Sequence, residues 1–330
     1  MTTICLFHSS KEAMAMVEIF KTMEDKTFIR IDKPEKDCWI SMTNPTPQEI
    51  SQISEECQLE EDVLRAALDP EERARLEVEE DYTLIVIDIP YIEKEEVENQ
   101  EKDRYITMPL AIISIKNTII TVCLVETPVL THIKSGRMKT FCTYKKTRFI
   151  LQIFYRVATQ FLQYLRAINR QSELIEDKLH VSQKNKELFE LLELQKSLVY
   201  FTTSLRANEG VFEKMLKNQN VKQYPEDEEL LEDVIIENKQ AMEMANIYNG
   251  ILGGMVDTFA SVISNNLNIV MKFLATVTIV MSIPTMIASF YGMNVPLPGK
   301  DNPYGFYCVL GVAVILAALV TLIFHKKDIF

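Results

Sequence analysis

Two long uncharged runs near the C-terminus constrain this chain more than any other feature. Residues 273–291 and 304–324 are runs of 19 and 21 residues, and neither contains Asp, Glu, Lys or Arg. A helix needs about 20 apolar residues to cross the hydrocarbon core of a bilayer, so each run is long enough to span it. Residues before about 270 read instead as soluble protein. Of the 330 residues, 47% are hydrophobic and 25% charged, a balance in which most of the chain folds around a packed core.

Orientation follows from the flanks. The first ten residues hold no Lys or Arg and only a brief apolar run, which does not read as a secretory signal. Lys326 and Lys327 follow the second run at once, whereas the connector between the runs sets Lys300 against Asp301. Cytoplasmic flanks collect Lys and Arg, so the expectation is two spans in the plasma (inner) membrane with both termini cytoplasmic.

The net charge of −12 is concentrated, with 19 acids against 5 bases between Glu55 and Asp103. Such a surface repels nucleic acid and anionic lipid. It is either a solvated acidic face or a place where carboxylates gather a hard cation such as Mg²⁺. The six cysteines form no Cys-x-x-Cys pair and the four histidines are dispersed. The five outside the second span (Cys5, Cys38, Cys57, Cys123 and Cys142) read as small buried residues in a reducing compartment. With no nucleophile–base constellation and no phosphate loop, the sequence does not point to an enzyme.

Residues 1–146 read as an α/β domain, with strands at about 27–31, 38–42, 83–89, 105–115 and 118–125 and helices from about Gln48 and over 61–68. From Thr147 the pattern turns helical: Leu151, Phe154, Ala158, Phe161 and Leu165 recur at steps of three and four. Residues 147–224 read as a helical hairpin. Pro225 and the acids that follow it then open a new helix. No proline follows until Pro284, so 226–291 reads as one helix of 66 residues, on the order of 100 Å long. Its parts are a stalk (225–269) and a first span (270–291). After them come an outer loop (292–303), a second span (304–325) and a basic tail (326–330).

The first span carries a second pattern. Asn268, Met271, Ala275, Thr278, Ser282, Thr285 and Ser289 repeat at alternating steps of three and four. This puts small and polar side chains on one stripe of an apolar helix, the spacing of a left-handed helix seam. It is either a close-packing surface or the lining of a pore whose hydroxyls face water. Two helices cannot enclose a pore, so a pore requires a cyclic homo-oligomer. At the end of this span stand Tyr291, Gly292, Met293 and Asn294. Gly292 is placed for a left-handed cap, and the neutral amide of Asn294 could add to a ring of oxygen acceptors. Such a ring suits Mg²⁺, which sheds its water reluctantly.

Tyr291-Gly292-Met293-Asn294 at the end of the first of two C-terminal spans resembles the CorA family of magnesium transporters. Trp39-Ile40 before Asn44-Pro45-Thr46, the run Asp69-Pro70-Glu71-Glu72-Arg73, the strand at 83–90, Pro109 through Val122 and the final Lys326-Lys327 extend the resemblance over the chain. It implies a homopentameric channel with a cytosolic α/β funnel, a stalk helix continuous with the pore helix, and import of Mg²⁺, with Co²⁺ or Ni²⁺ as further candidate ions, under control of cytosolic Mg²⁺. Gly292, Met293 and Asn294 would form the selectivity filter and Asn268 the inner pore asparagine. Asp257 would be the acidic position below it and Asp233 a ligand of a regulatory Mg²⁺ between subunits. Arg65 and Ala66 stand where some members carry an acidic pair opposite that aspartate, leaving Asp62 or Asp69 as substitutes. The partners implied are further copies of the chain, divalent cations and the lipid bilayer, with no nucleic acid. A Zn²⁺ transporter of the same architecture and a membrane-anchored metal sensor or scaffold are the alternatives. The stripe offers no soft ligand beyond Met271 for the first and gives the second no use for its hydroxyls.

Overall fold

The computed structural model describes residues 16–97, 100–116, 118–136, 141–182, 185–217, 224–293 and 304–326. The readings made for the N-terminal ten residues, for Asn294, for the Lys300–Asp301 pair and for Lys327 lie outside the described residues. The chain divides into two units, Met1–Met255 and Val256–Phe330.

The first unit is built on one seven-stranded sheet. Strands β1 (Met16–Thr22), β2 (Phe28–Ile31), β3 (Cys38–Thr43), β4 (Arg75–Val78), β5 (Tyr82–Val97), β6 (Gln100–Ile115) and β7 (Thr118–Cys123) lie in the order β2-β1-β3-β7-β6-β5-β4. Only β3 and β7 run parallel. Both are buried at every position, as a parallel pair covered on two faces requires, and β7 is rich in β-branched side chains.

One face of the sheet sets Ile40 and Met42 of β3, Ile120 and Val122 of β7, and Leu84 and Val86 of β5 against two short helices. These are α1 (Pro47–Cys57), which contributes Ile50 and Ile53, and α2 (Glu61–Arg65), which contributes Val63 and Leu64. Helix α1 begins in a capping box of Thr46 and Glu49 with Pro47 in its first turn, so local chemistry fixes its start. The neighbouring residues of β3 alternate to the other face. There the buried ring of Trp39 meets Phe20 at 5.2 Å and Phe149 at 5.3 Å between centroids, and its Nε1 donates to Thr121 Oγ1 at 2.9 Å. Glu18 is held there by Lys134 at 2.8 Å, at the end of α3 (Pro128–Lys134), and by Arg30 at 2.9 Å.

The hairpin of β5 and β6 is longer than the sequence pattern predicts. Its register runs from Tyr82 opposite Ile115 to Val97 opposite Gln100, straight through Pro90 and Pro109. Each proline stands just past the end of its strand's outer neighbour, since β4 pairs β5 only as far as Val86 and β7 pairs β6 only from Leu110. A strand with one open side tolerates a missing N–H. Beyond them, opposite charges face each other: Glu93 with Arg104, Lys94 with Asp103, and Glu95 with Lys102. Strands β1 and β4 were not expected; each carries charge inside a short run, and Glu18 in β1 is neutralised only by residues distant in sequence.

Helices α4 (Lys146–Ser182) and α5 (Asn185–Leu216) pack as a pair, with Phe154 on Phe212 at 4.8 Å and Phe161 on Phe201 at 5.1 Å. Helix α6 (Pro225–Tyr291) follows. Within the first unit it buries Leu231, Val234, Asn238, Ala241, Ala245 and Leu252, a stripe at helical spacing. On that side Asn238 Nδ2 donates to the Leu205 carbonyl of α5 at 2.9 Å. Gly253 belongs to the same surface: a Cβ there would lie 3.3 Å from Gln195 Nε2.

The second unit comprises the remainder of α6 and α7 (Gly305–Lys326). Both helices are long and apolar enough to cross a membrane. Their large apolar side chains stand exposed on nearly every side, reaching 72% for Phe306. So much exposed apolar surface is stable only against lipid or other protein.

Candidate permeation site

The predicted stripe lies on α6, and all seven of its residues, from Asn268 to Ser289, are exposed. An open groove of about 680 Å³ runs along its C-terminal half. Thr278, Ser282, Thr285 and Ser289 of the stripe line it, together with Val277, Met281, Met286 and Phe290, which the sequence pattern did not single out. The helical repeat finds one face of small polar residues; the longer apolar side chains at its rim are displaced from the repeat and so escape it. Asn268, Met271 and Ala275 continue the stripe on the preceding turns and are exposed.

The hydroxyls in this groove have partners of their own. Thr278 Oγ1 donates to the Leu274 carbonyl at 2.8 Å, Ser282 Oγ to Ile279 at 2.7 Å, and Thr285 Oγ1 to Met281 at 3.0 Å. Water is therefore not needed to satisfy their protons, which removes one support for the pore reading. The carbonyls can only accept, so the proton belongs to the hydroxyl in every case and the remaining lone pairs are left available. Between Ser282 and Thr285, Pro284 has no N–H for the carbonyl one turn back, a local weakening of the helix.

Gly292 does not act as the predicted left-handed cap. Gly136 is the one positive-φ glycine among the described residues. Gly292 instead donates its N–H to the carbonyls of Ala288 at 3.0 Å and Ser289 at 3.2 Å, and Met293 N donates to Phe290 at 3.2 Å. The helix ends by tightening into three-residue steps, which satisfies these N–H groups without αL geometry. A Cβ on Gly292 would meet the Ala288 and Ser289 carbonyl oxygens at 3.5 Å, an ordinary contact.

The three predicted acidic ligands lie apart in sequence and setting. Asp69 is in the turn after α2, where its Oδ1 accepts from Glu71 N at 3.0 Å. Asp233 is exposed on α6 in the first unit. Asp257, exposed on α6 in the second unit, accepts from Ser261 Oγ at 2.9 Å through its backbone carbonyl. No group of three or more His, Cys, Asp or Glu placed to hold a metal occurs among the described residues. Arg65 pairs with Glu61 at 2.9 Å, and Glu61 also accepts from Ser51 at 2.6 Å. Those two bonds, Ser51's first, hold the Glu61 carboxyl below its ordinary range.

Residues 35–326 match the family described as CorA-like Mg²⁺ transporter protein. The chain belongs to this family. It is 28% identical over 300 residues to the cobalt/magnesium transport protein CorA of Methanocaldococcus jannaschii, covering 88% of this chain and 90% of that one. It is 24% identical over 313 residues to the magnesium transport protein CorA of Campylobacter jejuni, covering 89% and 91%. The solved complete structure of the CorA magnesium transporter from M. jannaschii superposes with a TM-score of 0.80 at 24% identity, over 94% of this chain and 98% of that one. The mixed sheet, the long α6 and the spanning C-terminal helix are thus the CorA fold, and the protein is a membrane protein of a transport family.

Proposed function

We propose that this CorA-family chain assembles as a homopentamer whose five α6 helices line a channel importing Mg²⁺, with Co²⁺ and Ni²⁺ as further candidate cargo. The observation that carries this reading is the match of residues 35–326 to the CorA-like Mg²⁺ transporter family, and the hydroxyls along the α6 groove are compatible with it. Each of Thr278, Ser282 and Thr285 spends its proton on its own helix. What such a hydroxyl can offer a passing ion is lone pairs alone. A hydrated Mg²⁺ presents water hydrogens outward, so a wall of acceptors suits the hydrated ion without stripping it. Five copies of the groove would surround the path with acceptors; one copy cannot enclose it.

In this assembly Asn268 stands at the inner end of the stripe, and Gly292, Met293 and Asn294 form the filter at its outer end. Lys326 at the end of α7 supports an orientation in the inner membrane with both termini cytoplasmic. The membrane potential then drives cations inward. Regulation is assigned to Mg²⁺ held between neighbouring subunits by Asp233 with Asp69, and Asp257 serves as an acidic position below the stripe. Among the described residues of one chain no group of three such ligands forms, so an ion held there would draw ligands from a neighbouring subunit. Loss of these ions would leave like charges facing each other and favour opening. Zn²⁺ transport is disfavoured because the groove lining holds no imidazole or thiolate, and the relatives described above are named for magnesium and cobalt.

The test is uptake into proteoliposomes of Mg²⁺, Co²⁺, Ni²⁺ and Zn²⁺, each followed separately, for wild type and Asn294→Ala. Mg²⁺ entry that depends on Asn294 is expected. Zn²⁺ entry without Mg²⁺ entry would overturn the cargo, and an unchanged Mg²⁺ flux in the variant would overturn the filter.

A further inference from the structure

Asp88 is placed in β5 with the parity of Leu84 and Val86, but beyond their apolar cluster and beside α5. Asn208 of α5 brackets it: the Asp88 N–H donates to Asn208 Oδ1 at 2.8 Å, and Asn208 Nδ2 donates to the Asp88 carbonyl at 2.7 Å. This side chain thus holds the backbone of β5 at both of its hydrogen-bonding groups. One turn earlier on α5, Ser204 Oγ and Thr107 Oγ1 of β6 lie 2.9 Å apart, and Ser204 hydrogen-bonds the Asp88 carboxyl; with one proton on each hydroxyl, Thr107 donates to Ser204 when Ser204 donates to the carboxylate. The adjacent Leu205 carbonyl accepts from Asn238 of α6. Asn208 and Asn238 are both essentially fully buried. Strand, helix and stalk are therefore joined in series by two buried asparagines, and a carboxyl sits at the first joint.

Among the described residues, no charged group pairs with that carboxyl. Burial pushes it up to about 6, and the Ser204 hydroxyl opposes the shift only in part. The charged groups on the surrounding elements are engaged elsewhere or turned outward. On α5, Glu209 pairs with Lys239 of α6 at 3.5 Å, and Arg206 is exposed. On β4, Arg75 pairs with Glu72 and with Glu77. On the hairpin, Arg104 pairs with Glu93. On α4, Arg156 is half-exposed, and Tyr164 packs on Tyr105 of β6.

We infer that the Asp88–Asn208–Asn238 series is a proton-sensitive joint, through which the pH around the first unit sets how firmly α5 and α6 are held to the sheet. The sign follows from linkage. A carboxyl that titrates higher when packed than when hydrated binds its proton preferentially in the packed joint. The joint is thus firmest below the hydrated value and loosens as pH rises through about 6. This goes beyond the transport reading and does not depend on it, because the readout below involves no ion flux.

The experiment is hydrogen exchange on the full-length protein in lipid nanodiscs between pH 5 and 7.5, with rates corrected for intrinsic exchange. The segments followed are 200–210 of α5 and 234–242 of α6. In wild type, local opening of both should rise together by roughly ten-fold across this range, with a midpoint near 6. Asp88→Asn, which keeps the shape and cannot titrate, should hold both segments near their low-pH level throughout. Ser204→Ala should move the midpoint upward, since the lost hydroxyl favours the charged carboxyl. A wild-type pH profile in Asp88→Asn would overturn the inference. So would an unmoved midpoint in Ser204→Ala, which decides the matter if the Asp88 variant does not fold.

Discussion

Thr285 donates its hydroxyl proton to the Met281 carbonyl across 3.0 Å, one turn back along α6 and across the position of Pro284. The bond leaves the oxygen of Thr285 as an acceptor facing the groove. Thr285→Val keeps the shape and removes that acceptor from every subunit. A hydrogen bond of about 1 kcal/mol corresponds to roughly five-fold in rate, so Mg²⁺ uptake should fall by about that factor while Thr285→Ser stays close to wild type. Equal uptake by the Val and wild-type proteins in proteoliposomes would remove the groove from the ion path.

Gly292→Ala separates the needs of the fold from those of the site. Gly292 has no left-handed backbone, and an added Cβ meets only ordinary contacts at 3.5 Å within its own chain. The variant should therefore express, assemble and melt as wild type does. If the filter assignment is right, its Mg²⁺ uptake should nevertheless drop by on the order of ten-fold, because five added methyl groups would crowd one mouth. Normal flux would show that the glycine is not required there.

These two residues also mark what could be read from the sequence. The spans, the α6 helix and the polar stripe were legible because each is a periodic pattern carried by many residues; strands β3 and β7 were legible as short apolar, aromatic and β-branched runs, but their parallel pairing was not. Gly292 misled because glycine after a helix most often signals αL geometry, whereas here the last turn tightens instead. The destination of the Thr285 proton depends on a rotamer, which no spacing encodes. Asp88 was silent for a similar reason: a lone aspartate in a strand becomes unusual only when α5, more than 110 residues later, closes over it. Strand β1 was missed because Glu18 becomes compatible with a buried strand only through Lys134 and Arg30.

That last arrangement predicts a stability effect. The Glu18 and Lys134 side chains are only 11% and 10% exposed, and their charges lie 2.8 Å apart. Lys134→Met would leave Glu18 with Arg30 alone. Removing one member of a buried pair strands the other charge and costs about 3 kcal/mol. The full-length variant in detergent should melt several degrees below wild type, whereas the exposed variant Arg65→Met should shift little, since surface pairs contribute at most about 1 kcal/mol. Equal melting of Lys134→Met and wild type would mean that Arg30 alone suffices for Glu18.

Trp39 offers a second measure of the core. Its indole N–H donates to Thr121 in the middle of the sheet, where both residues are wholly buried. Thr121→Val preserves volume and removes the acceptor, leaving a buried donor unpaired at a cost of about 1–3 kcal/mol. A lower melting temperature with unchanged indole fluorescence would assign the loss to the hydrogen bond. An unchanged melting temperature would mean that the indole finds another acceptor.

Asp233 tests regulation independently of permeation. It is exposed on α6, and no metal-holding cluster forms around it within the described residues of one chain. A regulatory Mg²⁺ would therefore need a carboxylate from a second subunit, with Asp69 as the proposed partner. If so, Mg²⁺ should slow proteolysis of the intact assembly, and Asp233→Ala should need on the order of ten-fold more Mg²⁺ for the same protection, equivalent to about 1.4 kcal/mol. Glu243→Ala, another exposed acid on the same helix, serves as the control and should leave the protection curve where it was. Asp69→Ala should shift the curve in the same direction as Asp233→Ala, and the double variant should shift it little further than either alone, because two ligands of one ion are not independent. Superposition of the Asp233→Ala and wild-type curves would remove Asp233 from the regulatory site.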